Sequence, residues 1–433
     1  MLATCRSVAF LGAEARLVEV EVHVGSGLPH FAVVGLATRS VTEATHRVRS
    51  ALESTQPDYW PRRRIIANLA PGALRKEGTH FDLSIALGIL AARGIIDGAA
   101  LNGWIWIGEL ALDGALRPVR GALAAAMTAH SDGLSGIVCP AGNASEARLV
   151  AGVEVVPVSS LGQCIEWLEG QWRPAPADEA RASEDPPIDD LRDVRGHPDA
   201  KRALEIAAAG GHNVLLVGPP GSGKTMLARR LAGILPPMSL EETLEVTRIY
   251  SVAGLLGERA RLVRERPFRS PHHHVSAAGL IGGGAFLARP GEVSLAHRGV
   301  LFLDEVALYR RDVLDSLRAP LEEGMVRIAR SGGVVTYPCR FSLVAAMNPC
   351  PCGLKEEEGG TCRCSPRELE VYEARLSGPM LDRLDIQVGM ARLDKNELLG
   401  APSGEPSAVI RRRVTQARER QLHRYGTSLA VNG

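Results

Sequence analysis

Aromatic residues are scarce in this chain of 433 residues, because Phe, Trp and Tyr together make up only 4% of it. So few rings exclude an extended platform on which nucleic-acid bases could stack. An excess of one charge sign is missing as well, since 50 Lys and Arg are matched by 49 Asp and Glu. Binding to nucleic acid would therefore depend on local basic patches or on the pore of a ring.

Long apolar runs and a high cysteine content are also absent. No run reaches the roughly 18 apolar residues that a membrane span needs. Residues 1–10 contain one Arg and no apolar segment followed by a cleavage site, so we expect no signal peptide. Eight Cys in a chain of this length do not make a disulfide scaffold. We expect a cytoplasmic protein with no membrane partner.

The first part of the chain has the pattern of a folded α/β domain. Its strict alternation at residues 18–24 predicts a half-buried strand. Apolar stretches at residues 83–92 and 121–130 predict helices. We therefore expect residues 1–172 to form one α/β domain.

The remainder of the chain divides by composition. Residues 173–190 are rich in Pro, Ala and acids and have almost no large apolar side chain, which predicts a linker. A second domain is expected over residues 191–393. A polar tail, 394–433, includes an Arg-rich segment at 408–425 that predicts a helix.

The strongest motif is a phosphate-binding loop of the form G-x-x-x-x-G-K-[ST]. It lies between a run that predicts a buried strand, 213–217, and a helical run, 226–235. Glycines allow the backbone N–H groups of such a loop to face phosphates, and the helix N-terminus adds positive partial charge. Lys224 is predicted to reach the β- and γ-phosphates and Thr225 the magnesium ion. The predicted nucleotide-binding residues are Gly218, Pro219, Pro220, Gly221, Ser222, Gly223, Lys224 and Thr225.

Two further strands are expected to bring polar groups to the same site. The apolar run 299–303 ends in Asp304, predicted to hold the metal, and Glu305, predicted to orient and activate water. A solvated strand end is the alternative for these acids. Asn348 ends a later apolar run and is predicted to lie near the γ-phosphate, the alternative being a turn former before Pro349.

Additional motifs follow one another in a fixed order along nearly the whole chain. They are residues 31–36 (FAVVGL), 68–72 (NLAPG), 76–78 (KEG), 81–83 (FDL), 269–276 (RSPHHHVS), 282–284 (GGG), 289–292 (RPGE), 295–297 (LAH), 299–305 (GVLFLDE), 348–353 (NPCPCG) and 376–385 (LSGPMLDRLD). These motifs closely resemble the magnesium-chelatase-like AAA+ proteins of the ComM/YifB family.

The resemblance implies a fold, a cofactor and a function. The implied α/β fold is a Lon-protease-like N-terminal α/β domain (1–172), a P-loop AAA+ ATPase core (191–393) and a helical lid (394–433). The implied cofactors are ATP and Mg²⁺. Members of known role are ring-forming, DNA-stimulated ATPases that drive branch migration during natural transformation, so a homo-hexamer acting on single-stranded or branched DNA is expected.

The resemblance also suggests roles for three arginines. Arg383 lies where related clades place an arginine finger, which completes a neighbouring subunit's site. A structural pair with Asp382 or Asp385 is the alternative. Residues 326–337 predict a hairpin that resembles the pore hairpin of related motors, with Arg327 and Arg330 on DNA phosphates. A solvated surface hairpin is the alternative.

Two clusters could bind metal. Cys350, Cys352, Cys362 and Cys364 form C-x-C-x₉-C-x-C, which suits a tetrahedral zinc ion, although C-x₂-C spacing is commoner. Free thiols or a redox pair are the alternatives. Three consecutive His at 272–274 do not easily converge on one ion, so a pore or interface loop is favoured there, with a structural turn as the alternative.

Two departures from the family pattern bear on activity. Thr79 and Leu123 stand where Lon-type catalysis would need Ser and Lys, so we expect no peptidase activity. Peptide cleavage that a change at Thr79 abolishes would contradict this. Family members continue for some tens of residues beyond the end of this chain, so an incomplete lid is expected, as in a fragment or truncated homologue.

The leading hypothesis is an ATP-dependent DNA motor. One alternative is a magnesium-chelatase-type ATPase that remodels a protein partner. Another is a nucleotide-binding protein without motor activity. DNA-stimulated ATP turnover separates the first hypothesis from both alternatives.

Overall fold

The computed structural model describes residues 1–175, 189–257, 260–284, 288–330, 333–355, 362–376, 378–394 and 404–426. Within these ranges, none of the helices combines the length and the apolar character needed to cross a membrane. The chain is a mixed α/β protein with two main sheets, as the sequence predicts.

A mixed seven-stranded sheet, in the order β3-β4-β2-β1-β5-β8-β9, organises residues 1–175. The strands of this part of the chain are β1 (Leu2–Leu11), β2 (Glu14–Gly25), β3 (His30–Val34), β4 (Arg64–Ala70), β5 (Trp104–Trp106), β6 (Glu109–Leu110), β7 (Leu116–Arg117), β8 (Gly136–Pro140) and β9 (Glu154–Val158). β6 and β7 pair with each other in a separate two-stranded sheet. The helices are α1 (Arg39–Thr42), α2 (Ala44–Thr55), α3 (Asp82–Ala92), α4 (Ala122–Ser131), α5 (Ala144–Ala147) and α6 (Leu161–Leu168).

The alternation predicted for residues 18–24 is present in β2. Its valines are buried, whereas Glu19 and His23 are exposed. Helix α3 packs on β2 so closely that a Cβ on Gly88 would lie 2.5 Å from a methyl carbon of Val22. Because α3 is buried almost all round, its core contacts extend over more than one face.

A five-stranded parallel sheet, in the order β11-β14-β17-β10-β18, organises the second half of the chain. The strands of this part of the chain are β10 (Val214–Val217), β11 (Phe268–Arg269), β12 (Gly282–Gly283), β13 (Arg289–Pro290), β14 (Val300–Leu303), β15 (Met325–Arg330), β16 (Gly333–Pro338), β17 (Ser342–Met347) and β18 (Ile386–Gly389). β12 pairs with β13, and β15 with β16, in two separate two-stranded sheets. The helices are α7 (Pro198–Gly210), α8 (Lys224–Ile234), α9 (Leu240–Ala253), α10 (Ala277–Ile281), α11 (Glu292–Leu295), α12 (Arg311–Asp315), α13 (Arg318–Glu323), α14 (Pro366–Glu373), α15 (Gly378–Leu381) and α16 (Ser407–Tyr425).

The central strands of this sheet are short apolar runs. All residues of β14 and nearly all of β10 and β17 are buried, as expected for parallel strands covered on both faces. Val217 pairs with Met347, and Leu303 pairs with Ala345. The carboxyl ends of β10, β14 and β17 therefore meet at one edge, the usual ligand-binding edge of such a sheet.

The helix predicted at residues 408–425 is α16. It lies along α7 and α8, with Ile410 and Val414 buried in the same core cluster. Arg418 Nε donates to the carbonyl oxygen of Ala208 over 2.9 Å. The helix in the segment that the family resemblance assigned to a lid is thus packed on α7 and α8.

Candidate active site

The loop between β10 and α8 is shaped by two left-handed glycines. Gly221 and Gly223 have φ of +80° and +88°, which side-chain-bearing residues rarely adopt. A Cβ at either position would meet no atom within 4 Å, so the backbone conformation rather than crowding requires glycine. Helix α8 begins directly after this loop at Lys224. The loop and helix N-terminus together fit the phosphate groups of a nucleotide.

Lys224 is held at this loop by three oxygen acceptors. Its Nζ donates to the carbonyl oxygens of Gly218 (2.6 Å) and Pro219 (2.9 Å) and to Asn348 Oδ1 (3.3 Å). Burial lowers the pKa of the ammonium group, and the nearby carboxylates of Asp304 and Glu305 oppose that shift. The positive charge thus stands at the edge where the three central strands end.

A hydroxyl and a carboxylate meet beside the lysine. Thr225 Oγ1 donates to Asp304 Oδ2 over 2.8 Å. Asp304 Oδ1 accepts from the backbone N–H of Glu305 over 3.0 Å. Hard oxygen donors of this kind are the ligands that Mg²⁺ prefers, so Thr225 and Asp304 fit a magnesium ion. Glu305 itself is exposed and has φ of +50°, an uncommon conformation that occurs preferentially at functional sites.

Asn348 completes the group from the end of β17. Besides contacting Lys224, it lines a cavity of about 620 Å³ together with Glu305. The structure therefore brings together the lysine, the threonine, the two acids and the asparagine that the sequence singled out.

Helix α14 forms the far wall of this cavity, and sequence reasoning missed it. Arg367 and Tyr372 line the cavity from this helix, and Arg375 lines it from the turn that follows. The signal was present in the sequence, because Ser365 and Glu368 form a capping box with Pro366 at the first helical position.

Arg383 lies away from this group of residues. Its carbonyl oxygen accepts from Asn213 Nδ2 over 2.9 Å, and Asn213 precedes β10, at the opposite end of the strand from the phosphate loop. Four strand residues span about 13 Å. In the described part of the chain, the guanidinium pairs with Glu322 on α13 rather than with Asp382 or Asp385.

The hairpin predicted at residues 326–337 is formed by the antiparallel strands β15 and β16. Arg327 is exposed, and its Nη1 lies 2.7 Å from Glu323 Oε2. The side chain of Arg330 lies outside the described residues. The turn between β1 and β2 contacts this hairpin, since a Cβ on Gly12 would lie 2.5 Å from the carbonyl oxygen of Thr336.

The two metal-candidate clusters are both compact. The sulfur atoms of Cys350, Cys352, Cys362 and Cys364 all lie within 4.8 Å of one another. Hydrogen bonds from backbone groups of Arg363 and Leu354 lower the pKa of Cys352 to about 6.

Ligand nitrogens of His272, His273 and His274 also lie within 4.8 Å of one another. The expectation that consecutive histidines do not converge is therefore wrong for the ring nitrogens. Tyr309 secures this loop, because its hydroxyl donates to the carbonyl oxygen of Pro271 over 2.5 Å.

The two positions where Lon-type catalysis would need Ser and Lys, Thr79 and Leu123, carry no catalytic pair. The hydroxyl of Thr79 donates to Glu109, and Leu123 is fully buried in α4. One buried charged residue in this region is Asp82, which Arg47 binds through two hydrogen bonds of 2.6 and 3.0 Å. The arrangement around Asp82 is that of an internal ion pair rather than a nucleophile with its base.

The parallel sheet, the phosphate loop and the acidic strand end define the class of P-loop ATPases. Comparison with known proteins narrows the class. The family model described as magnesium chelatase, subunit ChlI, matches residues 190–398, and one described as subunit ChlI of Mg-chelatase matches residues 20–143.

Relatives that match nearly the whole of this chain identify the family. The chain is 45% identical to uncharacterized protein YifB of Escherichia coli, covering 96% of this chain and 81% of that protein. It is 44% identical to competence protein ComM of Haemophilus influenzae, covering 98% and 84%. A magnesium-chelatase 38 kDa subunit of Rhodobacter capsulatus is 26% identical over 54% of this chain and 70% of its own length. The chain belongs to the ComM/YifB family of magnesium-chelatase-like AAA+ proteins. This membership indicates an ATPase that uses ATP and Mg²⁺.

Proposed function

We propose that this chain is an ATP-dependent DNA motor, a helicase of the branch-migration type that acts in DNA recombination and natural transformation. The observation that carries the proposal is the convergence of Lys224, Thr225, Asp304 and Asn348 in a chain that is 44% identical to a competence protein. Competence is the capacity to take up DNA. A motor of this kind would therefore have single-stranded or branched DNA as its substrate, in the cytoplasm.

The proposed chemistry is hydrolysis of the γ-phosphate of ATP. When bound, Mg²⁺ would neutralise charge on the phosphate oxygens. Lys224 binds the β- and γ-phosphate oxygens, and Thr225 and Asp304 hold the metal. Glu305 orients the attacking water and accepts its proton, while Asn348 keeps Lys224 in position and contacts the γ-phosphate.

A ring follows from the proposed role of Arg383. The backbone of Arg383 lies at the opposite end of β10 from the phosphate loop of its own chain, and its guanidinium pairs with Glu322. It can stabilise transition-state charge on a nucleotide that a neighbouring subunit binds. We propose a homo-hexamer in which Arg383 exchanges its partner Glu322 for that nucleotide. We also propose residues 1–172 and 191–393 as separate domains, with 173–190 as their linker and 394–433 as a helical lid.

The proposed DNA contacts are on the β15–β16 hairpin. Arg327 is exposed and exchanges its ion pair with Glu323 for a DNA phosphate, and Arg330 belongs to the same strand. Arg327→Ala should reduce DNA stimulation severalfold and leave basal turnover unchanged. Arg310→Ala is the matched control. Arg310 is also exposed and paired with an acid, Asp312, but this pair lies at the start of α12 and not on the hairpin. Equal effects of the two variants would contradict the assignment.

The experiment that tests the motor is ATP turnover by the purified chain, with and without single-stranded and forked DNA. Lys224→Ala serves as the inactive control. Turnover that rises severalfold with DNA and disappears in the control supports the proposal. Nucleotide binding without turnover on any DNA would favour a nucleotide-binding protein without motor activity.

A magnesium-chelatase-type remodeller is the second candidate, because both matching family models carry a chelatase description. The share of the chain that matches favours the first candidate. YifB and ComM match 96% and 98% of this chain, whereas the chelatase subunit matches 54%. Turnover that responds to a protein partner and not to DNA would reverse this order.

A further inference from the structure

The four cysteines beside the nucleotide site have the spacing of metal ligands. Three of the sulfur–sulfur distances are 3.3 Å (Cys350–Cys352), 3.7 Å (Cys352–Cys362) and 3.8 Å (Cys350–Cys362). Four thiolates at about 2.3 Å from a zinc ion occupy the corners of a tetrahedron whose edges are about 3.8 Å. A disulfide would need about 2.05 Å. These three distances are close to the edges of such a tetrahedron, and Cys364 Sγ lies within 4.8 Å of the other three sulfur atoms. All four cysteines are free, so the cluster fits four ligands of one ion rather than a disulfide.

The backbone prepares both pairs of ligands. The N–H of Gly353 donates to the carbonyl oxygen of Cys350 over 3.0 Å, which closes a turn with Cys350 and Cys352 at its first and third positions. Cys362 and Cys364 come just before the capped start of α14. One ion at the four sulfurs would thus join the end of β17 to the beginning of α14.

The same turn touches the phosphate loop. A Cβ on Gly353 would lie 2.7 Å from Cδ of Pro220, so the cysteine turn packs directly on that loop. Asn348, which binds Lys224, is two residues before Cys350. On the other side, α14 lines the cavity that contains Glu305. A shift of the sulfur cluster would therefore act directly on the phosphate loop, on Asn348 and on α14.

We propose that Cys350, Cys352, Cys362 and Cys364 bind one structural zinc ion. This zinc fixes the positions of the phosphate loop and α14 and thereby raises the affinity for nucleotide. The second half of the proposal rests on the proposed function of the site. Zinc binding displaces the thiol protons into solvent and leaves four thiolates on the ion. Because coupling between two ligands is reciprocal, zinc and nucleotide should strengthen each other's binding by the same factor.

The first experiment measures the metal. Protein purified without chelator should contain one zinc per chain by atomic emission, and cobalt exchanged into it should show the absorption of a tetrahedral thiolate complex. The double variant Cys362→Ser, Cys364→Ser should contain none. Cys339→Ala, a buried cysteine of the same core outside the cluster, should retain the zinc. Metal-free wild-type protein with free thiols, or with a disulfide, would overturn the site.

The second experiment measures coupling. Zinc is removed from the wild-type protein by a chelator, with the fold checked by circular dichroism, and the affinity for a fluorescent ADP is titrated without DNA. We expect affinity to fall by roughly fivefold or more and to return when zinc or cobalt is added back. If the protein binds zinc but its affinity for ADP does not change when the zinc is removed, the proposed effect of zinc on nucleotide binding is refuted. Loss of DNA stimulation with zinc retained would refute the motor alone, so the two failures are distinguishable.

Discussion

Replacing Glu305 by Gln separates nucleotide binding from hydrolysis. The side chain is exposed, so the change should alter the free energy of unfolding by no more than about 0.5 kcal/mol. Gln keeps the same Cβ, so the left-handed backbone at φ +50° bears no additional strain. Loss of a group that orients water and accepts its proton costs about 10²–10⁴ in rate, or about 3–5 kcal/mol in the activation barrier. We expect turnover to fall by that factor while ATP still binds.

The assay pairs steady-state phosphate release with titration of a fluorescent ATP analogue. Asp304→Asn is the contrasting variant, because Asp304 accepts the Thr225 hydroxyl and should be needed for magnesium-dependent binding itself. Asp312→Asn, an exposed acid on α12, is the neutral control. Turnover of Glu305→Gln within twofold of wild type would refute the assigned role, as would loss of nucleotide affinity in that variant.

Three further variants test the site and the fold. Asn348→Ala removes an acceptor of Lys224 and should lower turnover about a hundredfold with nucleotide still bound; unchanged phosphate release would contradict its role. Arg47→Met leaves Asp82 buried without its partner and should reduce the free energy of unfolding by about 3–5 kcal/mol in a denaturant titration, and a loss below about 1 kcal/mol would count against the pair. The hydrogen bond with His297 holds the pKa of Glu245 at about 2, below its unfolded value near 4.3, so ionised Glu245 stabilises the fold above that pH and loses this effect as the pH falls toward 2. Glu245→Gln should therefore flatten acid unfolding in this window, and an unaltered pH dependence would refute the coupling.

The sequence predicted those parts of the molecule that local pattern determines. The alternating valines predicted β2. The short apolar runs before Gly218, Asp304 and Asn348 predicted the three central strands β10, β14 and β17. Parallel strands place their carboxyl ends at one edge, so the convergence of the site residues followed from the strands themselves. The glycine positions of the phosphate loop followed from its motif in the same way.

Features that depend on packing between distant segments were not predictable in this way. The partner of Arg383 is Glu322, 61 residues away, and no local pattern selects it over Asp382 or Asp385. The capping box predicts where α14 begins. The position of α14 beside the cavity that contains Glu305 depends on tertiary packing, which no local pattern predicts. Side-chain direction decides the convergence of three consecutive histidine rings, and a simple spacing argument misjudged it.

The measurement that tests the central claim most directly is ATP-driven branch migration. A fluorescently labelled strand in a three-stranded DNA junction is followed in the presence of the purified chain. We predict release of the strand with ATP, and none with a non-hydrolysable analogue or with the Glu305→Gln variant. ATP turnover on the junction without any release of the strand would contradict the claim that this chain is a DNA motor.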